Sequence, residues 1–590
     1  MENQRNLIIA VVLTGLLLLG WDAGMRHFYP NTGKPAVTAS GSAVSGPTPS
    51  ASASAKPTRE GGLTSAADIA EEARDLKTAL GSGGRVAIAA PGLTGSINLT
   101  GGLVDDLSAV RHTATVAKDS GPARIFSPSG TPAQQYAQFG WTGTGAALPG
   151  TATVWTAPAG ARLTPQSPVT LTWANPTGQT FTLTYAIDAD YMLTVTQGVI
   201  NGGTAPVTLR PVALLNRTSK TASVDGYQVH SGPFGAFDET VAFAPNYTDL
   251  ASAVTIKNEG KANWIGFTDI YWMSTLIPGN GAQASDFRSL GNDKYLADLF
   301  YGEATLAPGS TSTVQTRLFA GAKESTILDR YEATGIPKFD LAIDWGYFRW
   351  FERPIFWLLK TLFGLVGNFG VAIMLLTVVV RGLMFPVAQR QFASMAAMKA
   401  IQPKMKALQE RYKDDKAKQQ EAVMALYKAE GVNPLAGCLP IFLQIPVFFA
   451  LYKVLTLAVE MRHQPFVLWI KDLSAPDPLH ILNLFGLLNF TPPAMLGIGV
   501  LAVLLGITMY FQFKLNPAQM DPMQQQVFAI MPWMMMFVMA PFAAGMLIYW
   551  ITSNVLTIAQ QKYLYSKNPA LRAQADKDTA DAEHAAARPK

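Results

Sequence analysis

Arg381 stands inside the apolar run 369–387, with Val, Leu, Ile and Met before it and Leu, Met and Phe after it. A guanidinium stays protonated in practically any protein environment, so it cannot shed its charge to suit hydrocarbon. At ~1.5 Å per residue it lies roughly 18 Å from the outer end of the run, in the inner half of a bilayer. A charge at that depth costs roughly 3 kcal/mol or more unless it is wetted or paired. The runs 369–387, 434–458, 495–513, 527–542 and 545–563 contain no Asp or Glu. The expected partner of Arg381 is therefore water, or a group brought by another molecule.

Other polar residues recur at helical spacing in these runs. Thr377 precedes Arg381 by one turn on the same face, and Gln444, in a helix running the other way, reaches a similar depth, so the two helices can share one polar pocket. Thr508 and Gln512 form an i, i+4 pair in the fourth run, and Ser553, Asn554 and Thr557 cluster in the last. Each has a blander reading, because Ser, Thr, Asn and Gln often bond between helices or back to their own backbone. Methionine is concentrated at Met531, Met534, Met535, Met536 and Met539. Flexible thioethers suit a surface that accepts varied apolar partners, although ordinary lipid-facing packing is the simpler reading. Cys438, the single cysteine, lies in apolar sequence and reads most simply as a packing thiol.

The motifs that are missing narrow the chemistry. There is no GxxxxGK[ST] phosphate loop, no GxSxG nucleophile turn, and no HExxH or Cys/His metal spacing. No cofactor or metal is expected. Without acidic residues in the apolar runs there is no proton relay of the kind coupled pumps use. Polar groups without catalytic or coupling machinery point to binding and passage, not to an enzyme.

The elements that must position these residues follow from composition. The chain has 590 residues, 49% hydrophobic and 15% charged, with a net charge of +5 that comes from local basic segments. Nucleic-acid binding, and DNA in particular, is therefore not the expected role. Residues 1–28 read as an uncleaved signal anchor and first crossing, and 29–60 as a Pro/Ser/Ala linker. Residues 61–335 carry short period-two runs such as 169–173, 180–185 and 191–196, bounded by turn residues, which predict an all-β domain of sandwich type. Residues 336–366 predict an amphipathic helix on the membrane surface, rich in Trp and Phe with Arg349, Glu352, Arg353 and Lys360 at helical spacing.

Five more crossings are expected at 367–388, 433–459, 495–514, 527–542 and 545–565, making six in all. Between the second and third, residues 389–432 predict a helical hairpin that is basic enough to face the cytoplasm and touch anionic headgroups, RNA or acidic protein. An even number of crossings then puts both termini inside and the β domain in the periplasm. The loops 460–494 and 515–526 are periplasmic and cytoplasmic respectively, and 566–590 is a cytoplasmic tail without a dense basic run.

Over residues 345–565 the chain resembles the YidC-type membrane protein insertases of Gram-negative bacteria. The resemblance rests on Val366-Gly-Asn-Phe-Gly370, Val380-Arg-Gly-Leu-Met-Phe-Pro386, Ile401-Gln-Pro-Lys404, Ala425-Leu-Tyr-Lys428, Val432-Asn-Pro-Leu-Ala-Gly-Cys-Leu-Pro440, Gln444-Ile-Pro446, Asp521-Pro-Met-Gln-Gln525 and Ser553-Asn554. In the β domain it is looser, and strongest at Gly266-Phe-Thr-Asp-Ile-Tyr-Trp272 and Phe319-Ala-Gly321.

The resemblance implies a five-helix core around a hydrophilic groove, open to the cytoplasm and the lipid, with Arg381 as the groove arginine and Gln444 as its glutamine. A nascent membrane protein's polar tail would enter the groove. Its apolar segment would slide out along the third and fifth crossings, past Cys438, Met534 and Met535. The cytoplasmic hairpin would receive the client near the ribosome, and the Sec translocon and membrane lipids would be further partners. Many relatives carry two tyrosines where this chain has Tyr549-Trp550, which departs from a hydroxyl at the second position. Two other readings stay open on the residues alone: a channel for a small anion drawn by Arg381, and a periplasmic carbohydrate module anchored by the helices.

Overall fold

A computed structural model describes residues 60–81, 84–117, 119–223, 229–413, 415–431, 439–488, 497–515 and 522–567. The expected first crossing, the linker up to residue 59, Cys438 and nearly all of the tail lie outside the described residues. The chain divides into two compact units, Met1–Asp344 and Trp345–Lys590.

The first unit opens with helix α1 (Ala66–Gly81) and continues as strands in two antiparallel-rich sheets, one of eleven strands and one of eight among the described residues. The three period-two runs form adjacent strands of the smaller sheet, Val169–Ala174, Gln179–Ile187 and Met192–Asn201, with Val169 opposite Tyr185 and Gln179 opposite Asn201. Every second residue of Gln179–Ile187 is buried, because side chains alternate across a strand and one face meets the core. That core is aromatic where strands of the two sheets meet. Trp141 lies 5.0 Å from Phe181 and Phe267 lies 6.4 Å from Phe287, ring centre to ring centre. A fully buried side chain of this size contributes ~1.5–3 kcal/mol. A short helix α2 (Tyr247–Ala253), capped by the Asn246 side chain, lies between strands, and α3 (Ser325–Ala333) follows the last strand.

The boundary expected at residue 335 moves to 344. Ile336, Phe339 and Ala342 are buried in the β unit, with the Phe339 ring 5.4 Å from Phe319 and 5.8 Å from Trp264. Trp264 Nε1 also donates to the Pro337 carbonyl at 3.1 Å. Most of residues 336–344 thus belong to this core and not to the start of an interfacial helix; so short an apolar segment does not show in the sequence which core it joins.

The second unit begins with α4 (Arg349–Val366). Glu352, Ile355, Phe356 and Leu359 form its buried face at i, i+3, i+4 and i+7, while Trp350 and Trp357 are exposed on the opposite face. Gly367, at φ 67°, ends the helix in a left-handed turn, and Asn368 caps α5 (Phe369–Leu383) by accepting from the Val371 N–H.

Helix α5 stops four residues short of the run read from the sequence. The chain bends by 55° at Met384 and resumes as α6 (Phe385–Arg411). Pro386 accounts for the break, since it has no N–H and its ring clashes with the carbonyl four residues earlier in a continuous helix. α6 and α7 (Lys416–Ala429) form a helical hairpin tied by Lys404 to Glu430 at 2.6 Å, and Asp415 caps α7. The remaining helices are α8 (Leu439–Leu457), α9 (Val500–Leu515), α10 (Pro522–Met539) and α11 (Ala544–Lys567). α11 packs on α5, α8 and α9; α10 packs on α9; α4 packs on α5 and α8.

Among the described residues no single helix is long and apolar enough to cross a membrane, whereas the bent pair Phe369–Leu383 and Phe385–Gln391 is. The apolar stretches Gln444–Leu457, Val500–Lys514 and Ala529–Met539 are shorter. α11 has the length, but Thr552, Ser553, Asn554, Thr557, Gln560 and Gln561 make it too polar.

One loop, residues 458–499, fixes the direction of three helices. Asn368 at the start of α5 donates to the Phe466 carbonyl at 3.1 Å. The Leu501 N–H at the start of α9 donates to Asp477 at 2.8 Å, and Ala544 and Gly545 at the start of α11 donate to Ala475 and Leu473 at 2.8 and 2.9 Å. α5, α9 and α11 therefore all run away from the same side.

Candidate functional site

Helix α11 presents its polar residues as two stripes. Tyr549, Ser553 and Gln560 follow at i, i+4 and i+11 on one face, and Trp550 and Asn554 at i, i+4 on the next. The neighbouring helices bring the other expected residues to these stripes.

Arg381 lies in the last turn of α5, where its charge is favourable to the unpaired carbonyls of the helix end by ~0.3–1 kcal/mol. Its Nε donates to the Ser553 hydroxyl at 3.0 Å, and its Nη2 donates to the same oxygen. Gln560 donates to the Arg381 carbonyl at 3.4 Å. The expectation that only water or another molecule could meet Arg381 is corrected here, because a hydroxyl of the bundle does so. A hydroxyl supplies a lone pair and no charge. Among the described residues no carboxylate pairs with Arg381, and most of its N–H groups are left for something else.

Gln444, from α8, donates to the Tyr549 hydroxyl, one turn from Ser553. Arg381 and Gln444 thus meet through α11 and not directly. Tyr549 is buried, and Trp550 beside it turns to another surface, 5.5 Å from the Phe448 ring. Asn554 donates to the Thr508 hydroxyl of α9 at 3.2 Å, making a second polar contact on the adjoining face.

Some expected residues stay apart. Thr377 is buried and bonds back to the Ile373 carbonyl at 2.7 Å, the bland reading of a helical threonine. Thr557 bonds back to Ser553 in the same way. Gln512 keeps its side-chain carbonyl buried and without a donor. Met534 is exposed and Met535 half-buried on α10, with Trp533, Phe537 and Val538 exposed alongside. Gln560 was missed from the sequence, although its spacing of seven from Ser553 was the available signal.

The arrangement offers a fixed cation, an amide and a phenol along one helix, with a methionine-bearing apolar helix nearby in sequence. Among the described residues it has no nucleophile beside a base and no paired carboxylates. Such a site can hold acceptor groups reversibly.

Comparison with known proteins adds the family dimension. A family profile described as "60Kd inner membrane protein" matches residues 361–571, and one described as "YidC periplasmic domain" matches residues 85–358. Among curated relatives, "Membrane protein insertase YidC" of Zymomonas mobilis is 42% identical over 578 residues, covering 96% of this chain and 96% of the relative. The protein of the same name from Rhizobium etli is 41% identical over 592 residues, again covering 96% of each. Among solved structures, that of an active YidC insertase with its first transmembrane domain resolved covers 81% of this chain and 92% of its own, at 19% identity and a TM-score of 0.35. A galactose mutarotase-like protein from Lactobacillus casei covers 40% of this chain and 100% of its own, at 11% identity and a TM-score of 0.29.

Proposed function

The chain belongs to the YidC family of membrane protein insertases, and from that premise we propose that it inserts and folds nascent inner-membrane proteins through a polar groove centred on Arg381. The observation that carries this reading is the state of Arg381, held by the Ser553 hydroxyl with no carboxylate among the described residues to neutralise it. A client's polar, often acidic, tail supplies the missing charge part way through the bilayer. The crossing barrier of that tail falls by a share of the cost of an unpaired charge in hydrocarbon, without ATP hydrolysis.

In this account Gln444, Tyr549, Thr508, Asn554 and Gln512 add neutral donors and acceptors along the path. The exposed face of α10 with Met534, together with Met535 and Cys438, receives the client's apolar segment. Thr377 braces α5 and Trp550 packs against α8, so both support the groove from outside it. The chain crosses the inner membrane six times, five crossings forming the core. Both termini and the α6–α7 hairpin lie in the cytoplasm, where the ribosome delivers clients, and the β unit is a periplasmic sandwich. The protein works alone or beside the Sec translocon. The common starting side of α5, α9 and α11 supports this topology, since alternate crossings must run in the same direction.

Purified protein reconstituted in vesicles should insert a radiolabelled one-span client made in a cell-free system without nucleotide hydrolysis at the insertion step. Equal protease protection of the client in empty vesicles would defeat the proposal.

A further inference from the structure

We propose that the loop between α8 and α9 is a lipid-seated wedge, whose two apolar tips, at Val467-Leu468 and at residues 484–488, enter the outer leaflet of the bilayer. The inference rests on the membrane placement proposed above and extends it to a segment that no part of the groove uses.

The tips are exposed apolar residues in a loop, where water would select polar ones. Leu468 is 85% exposed and Leu487 83% exposed, and Leu484, Phe485 and Leu488 are exposed beside them. No charged residue occurs in 464–470 or in 478–488. Apolar residues clustered and exposed in this way mark a binding surface.

The backbone is shaped to hold these side chains outward. Leu468, Leu484 and Phe485 sit at φ 57°, 49° and 59°, in the left-handed region that bulky residues rarely adopt. Such strain persists only where the surrounding structure enforces it, and here it falls on apolar side chains that are half or more exposed.

The backbone is also prepared for a dry environment. The N–H groups of Ile481, Leu484, Phe485, Leu487 and Leu488 donate to the carbonyls of Ile498, Ile481, His480, Leu484 and Asn483 at 2.9 to 3.3 Å. In the first tip Ile470 donates to Val467 at 3.2 Å and Phe466 to Ile470 at 3.0 Å. Irregular backbone meets lipid at a prohibitive cost unless its polar groups are satisfied internally, and in the second tip the N–H groups of Leu484, Phe485, Leu487 and Leu488 are.

Lipid is the occupant that the position selects. The loop is tied to the starting ends of α5, α9 and α11 through Phe466, Asp477 and residues 473–475. With the crossing proposed above, that side is the outer edge of the bilayer, where lipid is the apolar phase within reach of the tips.

The test uses the full chain with Cys438→Ala, carrying one new cysteine labelled with an environment-sensitive fluorophore, in vesicles of phosphatidylethanolamine and phosphatidylglycerol. Phe485→Cys, Leu487→Cys and Leu468→Cys probe the tips. Leu504→Cys, exposed on α9, is the membrane control, and Ala251→Cys, exposed on the β unit, is the water control. The tips should emit to the blue of Ala251→Cys and be quenched most strongly by lipids spin-labelled near the headgroup, with Leu504→Cys quenched by deeper labels. Tips that match Ala251→Cys while Leu504→Cys is quenched would overturn the wedge and leave the membrane placement standing. Blue emission without lipid quenching would overturn it in favour of a protein partner, a second copy included. Absence of quenching at Leu504→Cys would remove the crossing and the wedge together.

Discussion

Arg381 gives two of its N–H groups, Nε and Nη2, to one neutral oxygen, the hydroxyl of Ser553 on a different helix. The bond aims the guanidinium along α11 without cancelling its charge. Orientation and charge are thereby separable. Removing the hydroxyl in Ser553→Ala should cost about 1 kcal/mol of positioning, which lowers the insertion rate of acidic-tailed clients roughly two- to fivefold. Ser553→Thr should keep the parental rate. Initial rates in reconstituted vesicles decide this, and an unchanged Ser553→Ala would show that Arg381 needs no such guide.

The Gln444–Tyr549 bond joins α8 to α11 inside the helical unit. Tyr549→Phe deletes the acceptor and leaves the half-buried Gln444 amide short of a partner, so thermal unfolding in detergent should show a loss of about 1 kcal/mol. The Gln444→Ala and Tyr549→Phe losses should fall short of additive in the double variant, as for two halves of one interaction. Full additivity would mean that the two side chains act independently.

Helix α4 turns Trp350 and Trp357 outward, opposite its buried Glu352, Ile355 and Phe356. Amphipathic rings of this kind settle at the headgroup level. Spin labels at positions 350 and 357 in vesicles should be more accessible to oxygen than to a water-soluble nickel chelate. The reverse order would place this face in water.

In the β unit Asp286 and Asp298 face one another in register, with Arg288 donating to Asp298 at 2.6 Å. Burial, and next the Asp298 carboxylate, push the Asp286 carboxyl up to about 7. A carboxyl whose pKa is higher folded than unfolded binds its proton more tightly in the folded chain. Its contribution is present below the ordinary carboxylate range and is lost as pH rises toward 7. Asp286→Asn should therefore stabilise the protein near pH ~8 by about 1 kcal/mol and change little near pH ~4. Melts at the two pH values check it; a gain of equal size at both would remove the titration as the cause.

The strands at 169–201 were legible because burial on one face writes a period of two into the sequence, and Val169–Ala174, Gln179–Ile187 and Met192–Asn201 carry it plainly. The end of α5 was less so. Hydropathy runs on through Met384 to Val387, and only Pro386 signals the 55° bend that leaves Arg381 in a terminal turn. Residues 336–344 read as part of a surface helix because isolated apolar residues such as Phe339 do not announce which core they join. The polar residues of the site were visible as types out of place in apolar runs. Their pairing was not, since spacing along one helix does not say which side chain of another will meet it: Arg381 met Ser553, and Gln444 met Tyr549.

The account turns on Arg381 acting through its charge. The most direct measurement is insertion, in vesicles, of two clients that differ only in carrying an acidic or a neutral tail, by the parent, Arg381→Lys and Arg381→Ala. Arg381→Lys should retain most insertion of the acidic-tailed client. Arg381→Ala should lose about tenfold on it, the equivalent of ~1.4 kcal/mol, with a much smaller loss on the neutral-tailed one. Equal insertion of the acidic-tailed client by Arg381→Ala and the parent would contradict the account.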